Sequence, residues 1–236
     1  MNNIDIIYFD VGNTLVNFKN NKKTTLDSSI EEATSYIKKY YGINITHELF
    51  KTYYEIWQKK VRIYESKNKE VDILPVLNDF FQIYGLTFTE KEAIELYRIL
   101  YHQTFVNAQL EPFALETLQE LKKENYKLGI ISNMPIYGDV ASEIFRELKI
   151  NNLFDYCLFS YDIKICKPSL EIFKKAILDN KIPATNSIMI GDNLRNDYFP
   201  AQQLEMKPIL YGTNENYNSF DNYKLVMKRV KKYERD

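Results

Sequence analysis

The chain has 236 residues, 45% of them hydrophobic and 27% charged, with 31 Lys and Arg against 32 Asp and Glu. That is the composition of a folded protein with room for one large or two small domains, and a net charge of −1 argues against a nucleic-acid partner. Cys157 and Cys166 are too few for a disulfide framework and fit a reducing compartment; no apolar run approaches the roughly 18 residues that span a membrane, and the N-terminus lacks the basic region of a signal peptide, so a cytoplasmic location is expected.

The first predicted element is a strand over residues 4–9. Its run Ile6-Ile7-Tyr8-Phe9 reads as buried on both faces, as in a parallel sheet. It ends in a carboxylate, Asp10, followed by Gly12, Asn13 and Thr14. Open α/β sheets bind ligands beyond the carboxyl ends of such strands.

About 110 residues then pass with almost no strand signal. Four helical patterns fill them. Leu26, Ile30, Ala33 and Ile37 share a face that Gly42 ends. Leu49, Tyr53 and Ile56 begin the second. Val71, Leu74 and Phe81 mark the third, which ends near Gly85. Thr89 and Glu92 have capping-box spacing ahead of Leu96 and Leu100. A helical bundle inserted after the Asp10 loop is the economical reading, and it should stand over the strand ends. Its aromatics, Tyr53, Tyr54 and Trp57, are expected to form the bundle core.

Strands are next expected at 127–132, 156–160, 187–191 and 207–211, alternating with helices at 112–124, 138–149 and 169–180. Such alternation predicts an α/β fold with a doubly wound, mainly parallel sheet. The domains predicted are a core of residues 1–16 and 109–236 and a helical insertion of residues 17–108. The tail KLVMKRVKKYERD reads as a short, fraying helix whose charges are solvated.

Polar residues of matching purpose stand where the strands end: Asp10, Ser132 with Asn133, Lys167 with Pro168, and Gly191-Asp192 with Asp197 beyond. In a parallel sheet they face one crevice. A carboxylate can attack phosphorus and form an aspartyl phosphate. Ser132 can donate to a phosphoryl oxygen, and Lys167 is a compact cation. Asp10 and Asp192 repel each other unless a hard cation lies between them, a role that suits Mg2+.

These segments, DVGNTL, SN, KP and GDNLRND in that order, resemble the motifs of the haloacid dehalogenase-like (HAD) hydrolase superfamily. The match runs along the chain, and the insertion lies where that family places a helical cap. The resemblance implies a Rossmann-like core. It also implies Asp10 as nucleophile, Ser132 as phosphoryl ligand and Lys167 as neutralising cation. Mg2+ would be held by Asp10, the Gly12 carbonyl and Asp192. Asp197 would orient the loop or Lys167, Thr14 would hydrogen-bond near the nucleophile, and Asn133 would shape the pocket.

One position departs from the family's phosphatases. They carry a second aspartate two residues after the nucleophile as general acid and base, and this chain has Gly12. Three readings follow. The first is a Mg2+-dependent phosphatase of a small phosphorylated metabolite, slow or limited to good leaving groups. The second is a non-catalytic phospholigand-binding or interaction protein. The third is a dehalogenase, which needs no proton for its halide but also no metal. His47 and His102, the only histidines, are surface or packing residues rather than substitute acids on this reading. No zinc spacing, glycine-rich nucleotide loop or nucleic-acid motif is present. Oligomeric state stays open.

Overall fold

The computed structural model describes residues 3–18, 22–214 and 216–235. Strand β1 (Ile6–Phe9) leads through the Asp10 loop to a short strand, β2 (Val16–Asn17). Four helices follow: α1 (Lys22–Tyr41), α2 (His47–Glu65), α3 (Ile73–Phe81) and α4 (Glu90–Val106). The chain returns through β3 (Gln109–Leu110), α5 (Ala114–Lys123) and β4 (Lys127–Ser132). It goes on through α6 (Gly138–Ala141), α7 (Glu143–Glu147), β5 (Tyr156–Phe159), α8 (Ser160–Ile163) and α9 (Leu170–Asn180). Then come β6 (Ser187–Gly191), α10 (Phe199–Gln203), β7 (Lys207–Tyr211), β8 (Ser219–Phe220) and α11 (Val226–Arg235).

Six strands form one parallel sheet in the order β5-β4-β1-β6-β7-β8. The apolar run of β1 explains its central place: all four residues are fully buried. Ile7 and Phe9 join the core on one face, Ile6 and Tyr8 the core on the other. Phe9 pairs with Ile130 of β4 and Ile190 of β6, so Asp10, Ser132 and Asp192 leave the sheet at the same edge. The expected doubly wound α/β architecture is therefore present, with every predicted strand in place. Strand β8 was not foreseen. The helix expected over 138–149 is two helices, broken at Ser142, whose hydroxyl donates back to the Gly138 carbonyl at 2.8 Å.

The helical patterns between the first two sheet strands are also realised. Gly42 and Gly85 end their elements at φ of 71° and 77°, and Thr89 and Glu92 form the expected capping box. The face of α2 differs from the expected stripe. Phe50, Tyr53, Trp57 and Val61 are buried, while Ile56 is exposed. Aromatic packing decides this: Trp57 meets Tyr97 edge-on at 5.2 Å, and Phe50 and Tyr53 pack on Phe81.

Backbone pairing fastens the insertion to the rest of the chain at its root and on its far side, and Arg98 of α4 adds an ion pair to Glu143 of α7. At its root β2 and β3 pair antiparallel, Val16 with Leu110 and Asn17 with Gln109. On its far side Lys69 pairs with Ile165 in an isolated bridge. The Cys166 amide donates to the Asn68 carbonyl at 3.2 Å, and the Glu70 amide to the Lys164 carbonyl at 3.2 Å. The Tyr161 hydroxyl reaches Asp72 Oδ1 at 3.0 Å. These contacts set the insertion against the segment that follows β5 and leads to Lys167. The C-terminal helix α11 is docked rather than purely solvated, since Val226 and Val230 are fully buried.

Candidate active site

Asp10 leaves β1 into a tight loop in which the Val11 carbonyl accepts from the Thr14, Leu15 and Val16 amides. Ser132, the last residue of β4, donates to Asp10 Oδ1 at 2.8 Å. Lys167 Nζ donates to the same oxygen at 2.8 Å, to the Ile131 carbonyl at 3.0 Å and to Asp197 Oδ1 at 2.6 Å. Asp10 Oδ2 has no protein partner among the described residues. One oxygen is thus anchored while the other is left unengaged among the described residues.

Asn133 holds the lysine's backbone. Its amide donates to the Lys167 carbonyl at 2.9 Å and accepts the Lys167 N–H at 2.7 Å. Thr14 lies against Asp192 instead of Asp10, with its hydroxyl 3.4 Å from Asp192 Oδ1. Its own carbonyl takes the Tyr223 hydroxyl at 2.7 Å.

Asp197 lies in a π-helical turn (Leu194–Tyr198) directly after β6 and is almost wholly buried. Its Oδ2 accepts the Asn193 N–H at 3.1 Å while Oδ1 takes Lys167. It braces both the loop and the lysine. Gly191 makes room for it: a Cβ there would fall 2.3 Å from Asp197 Cγ.

Carboxylate oxygens of Asp10, Asp192 and Asp197 all lie within 4.8 Å of one another. This all-oxygen set suits a hard cation such as Mg2+. With both Asp197 oxygens already engaged, Asp10 and Asp192 are the carboxylates of the three left to hold it. Burial, and then the Asp10 charge, push Asp192 above the usual carboxylate range. Burial works against the Lys167 charge, but Asp10 and Asp197 outweigh it and hold the ammonium above its ordinary value. One cation among three carboxylates leaves the cluster short of positive charge.

Gly12 presents an open face. A Cβ there would meet only the Phe18 ring, at 3.7 Å. Phe18 in turn lines a cavity of about 390 Å3 with residues of the insertion, including Tyr54 and Tyr101. Trp57 and Tyr53 are in the bundle core as expected, whereas Tyr54 lines this cavity. His47 and His102 lie partly exposed on the insertion, each 3.4 Å from a carboxylate, Asp27 and Glu32.

Glu70 was not foreseen. It lies in the connection between α2 and α3 and is 4% exposed. One oxygen accepts from the Ser160 hydroxyl, and the other is buried without a partner. Burial pushes its carboxyl up to about 7. Ser160 also accepts the Met134 N–H at 2.9 Å, next to Ser132 and Asn133. Ser160 directly follows β5, so the strand-end logic that found Ser132 could have found it. Glu70 carried no such signal, because its partner lies 90 residues away.

The sequence profile described as haloacid dehalogenase-like hydrolase matches residues 6–211. The chain is 33% identical over 116 residues to the glyceraldehyde 3-phosphate phosphatase of Pyrococcus furiosus, covering 48% of this chain and 47% of that protein. It therefore spans about half the length of that curated relative. It is 27% identical over 219 residues to the Rhythmically expressed gene 2 protein of Drosophila melanogaster, covering 84% and 79%. The crystal structure of 2-haloacid dehalogenase from Pseudomonas syringae pv. Tomato superposes with a TM-score of 0.66 at 20% identity, covering 98% of this chain and 99% of that one. At that identity the likeness is one of fold.

Proposed function

The chain belongs to the haloacid dehalogenase-like hydrolase family, and from that premise we propose that it hydrolyses a small phosphorylated metabolite through an aspartyl phosphate at Asp10. The observation that carries this reading is the shared oxygen. Ser132 and Lys167 both converge on Asp10 Oδ1, which leaves the other carboxylate oxygen unengaged among the described residues. A phosphoryl group there would meet a nucleophile, a hydroxyl donor and a buried cation. The phosphatase name of the Pyrococcus furiosus relative supports the same class.

In this reading Asp10 attacks phosphorus, Ser132 turns its one proton from Asp10 Oδ1 to a phosphoryl oxygen when substrate binds, and Lys167 offsets the charge of both. Asn133 and Asp197 keep Lys167 in place, and Thr14 positions Asp192. Asp10, Gly12 and Asp192 are the residues to hold Mg2+. When bound, it supplies charge neutralisation between the carboxylates and the phosphoryl oxygens. Residues 17–108 act as the cap that covers the crevice, and the leaving group departs without a carboxylic acid at residue 12.

Turnover of p-nitrophenyl phosphate tests this, since its leaving group scarcely needs a proton. The expected result is hydrolysis that EDTA and Asp10→Asn each abolish. Tight binding of phosphate esters without turnover would point instead to the phospholigand binder. Metal-independent chloride release from 2-chloropropionate would point to the dehalogenase.

A further inference from the structure

Glu70 and Ser160 form a polar link between the insertion and the turn that follows β4. Glu70 lies between α2 and α3 on the insertion, and Ser160 stands directly after β5; both are buried. The Ser160 hydroxyl donates to Glu70 Oε1 and accepts the Met134 N–H at 2.9 Å. A serine hydroxyl can do both at once, with its proton in one bond and a lone pair in the other. Met134 directly follows Ser132 and Asn133. Ser132 donates to Asp10, and Asn133 holds the Lys167 backbone. The next amide along that backbone is therefore fastened, through one serine, to a carboxyl of the insertion.

The link suits a neutral carboxyl better than a charged one. The Glu70 amide is fixed on the Lys164 carbonyl at 3.2 Å, while Oε2 is buried without a partner among the described residues. Glu65, at the end of α2, brings a like charge toward it. Lys164 favours the ionised form, but this ammonium is shared with Asp72 at 3.5 Å and with Asp162 of α8, and it lies over the Tyr161 ring. Burial pushes up both the Cys166 thiol and the Tyr101 hydroxyl of α4, so these two neighbours stay neutral. Loss of the Glu70 proton leaves a buried carboxylate that needs more donors than the link supplies. A carboxylate that shifts to reach water draws the Ser160 hydroxyl with it, and through it Met134.

We propose, on the hydrolase reading of Asp10 and Ser132, that Glu70 is a positioning residue through which the insertion sets the turn of Ser132 and Asn133 by way of Ser160. Neutral Glu70 holds the turn for the reaction, and ionised Glu70 loosens it.

Glu70→Gln tests this, since it keeps an acceptor for the Ser160 hydroxyl without the charge. Turnover of p-nitrophenyl phosphate is followed as phosphate release near pH 5.5 and pH 8.5, well below the melting temperatures. Burial raises the Glu70 carboxyl to about 7, so these conditions bracket its titration. The ratio of variant to wild type cancels the titrations that both proteins share. For kcat it should be close to unity at the lower pH and rise roughly tenfold in favour of Glu70→Gln at the higher, with KM moving far less. Ser160→Ala cuts the link, and in that background Glu70→Gln should change kcat at neither pH. Hydrogen exchange of the peptide that holds Met134 should be faster in the wild type than in Glu70→Gln at the higher pH and equal at the lower. A kcat ratio independent of pH, or a gain that survives Ser160→Ala, would overturn the proposal. If neither protein turns over the ester, the hydrolase reading falls and exchange decides the link: a difference at the higher pH keeps it, and equal exchange sinks it too.

Discussion

Gly191 and Asp197 occupy space that a single extra carbon would close: a Cβ on the glycine would lie 2.3 Å from Asp197 Cγ. The carboxylate is therefore seated against bare backbone at the end of β6, and from there it reaches Lys167 at 2.6 Å. Gly191→Ala should displace Asp197 and, with it, the lysine. A shift of about 1 Å in such a group lowers turnover on the order of 10²-fold. Steady-state kinetics of Gly191→Ala beside Asp197→Ala checks this, and equal loss in both is the expected result. Wild-type turnover in Gly191→Ala would mean that the carboxylate has another seat.

Among the described residues, Lys167 is the one ammonium touching the buried carboxylates Asp10 and Asp197. Lys167→Met should abolish turnover and lower stability by about 3–5 kcal/mol, since it leaves two buried acids without their cation. Thermal unfolding measures the loss. Mg2+ should return part of it in this variant, and an unchanged melting temperature without the metal would contradict the account.

Mg2+ should also stabilise the wild type, because its donors converge only in the folded chain. At about a hundred times its dissociation constant the gain is about 2.7 kcal/mol. Melting curves with Mg2+ and with EDTA should differ accordingly. Asp192→Asn should remove the difference, and a shift that persists in this variant would place the cation elsewhere.

Glu70 gives a pH dependence with a definite sign. Its carboxyl is raised from 4.5 to about 7, chiefly by burial and further by Glu65, against the opposing effects of Ser160 and Lys164. The folded state therefore holds this proton more tightly than the unfolded chain. Its stabilising contribution is full below pH 4.5 and is lost as pH rises toward 7, by about 3 kcal/mol. Glu70→Gln keeps an acceptor for the Ser160 hydroxyl and carries no charge. It should match the wild type near pH 4.5 and exceed it in melting temperature at pH 8. A pH-independent difference between the two proteins would show that Glu70 does not titrate in this window.

Gly12→Asp restores a carboxyl to the open face beside Phe18. The ordinary contact distance of 3.7 Å leaves room for its Cβ. Turnover of poor leaving groups should rise by up to about 10²–10⁴-fold, and that of p-nitrophenyl phosphate far less. An equal gain for both would mean that proton transfer is not the missing element.

Much of the fold was legible because its signals are local. The runs IIYF, KLGIIS and SIMIG are apolar enough to be central strands, and each ends in a polar residue or is followed by one, which the shared register brings to one edge. That is why Asp10, Ser132, Lys167, Asp192 and Asp197 could be grouped without coordinates. What stayed hidden depends on partners far along the chain. The ladder of β2 with β3 and the pairing of β8 with β7 involve two residues each, too few for any periodicity. The exposure of Ile56 is not legible in the sequence, because it neighbours Trp57 and only packing against α4 shows that the tryptophan alone takes the buried place. The part of Asn133 that the sequence does not show is its hold on the Lys167 backbone, 34 residues away.

The bridge between Lys69 and Ile165 ties the two halves of the molecule's division of labour together. Ile165 stands two residues before Lys167, so the strip that recognises it belongs to the insertion while the ammonium serves the sheet. Excising residues 17–108 would not free a minimal hydrolase core. It would remove the edge against which the lysine's loop is registered. Grafting a foreign insertion to change substrate choice would face the same constraint: the strip Asn68–Glu70 has to be transplanted in register, or the new specificity arrives with a misplaced cation.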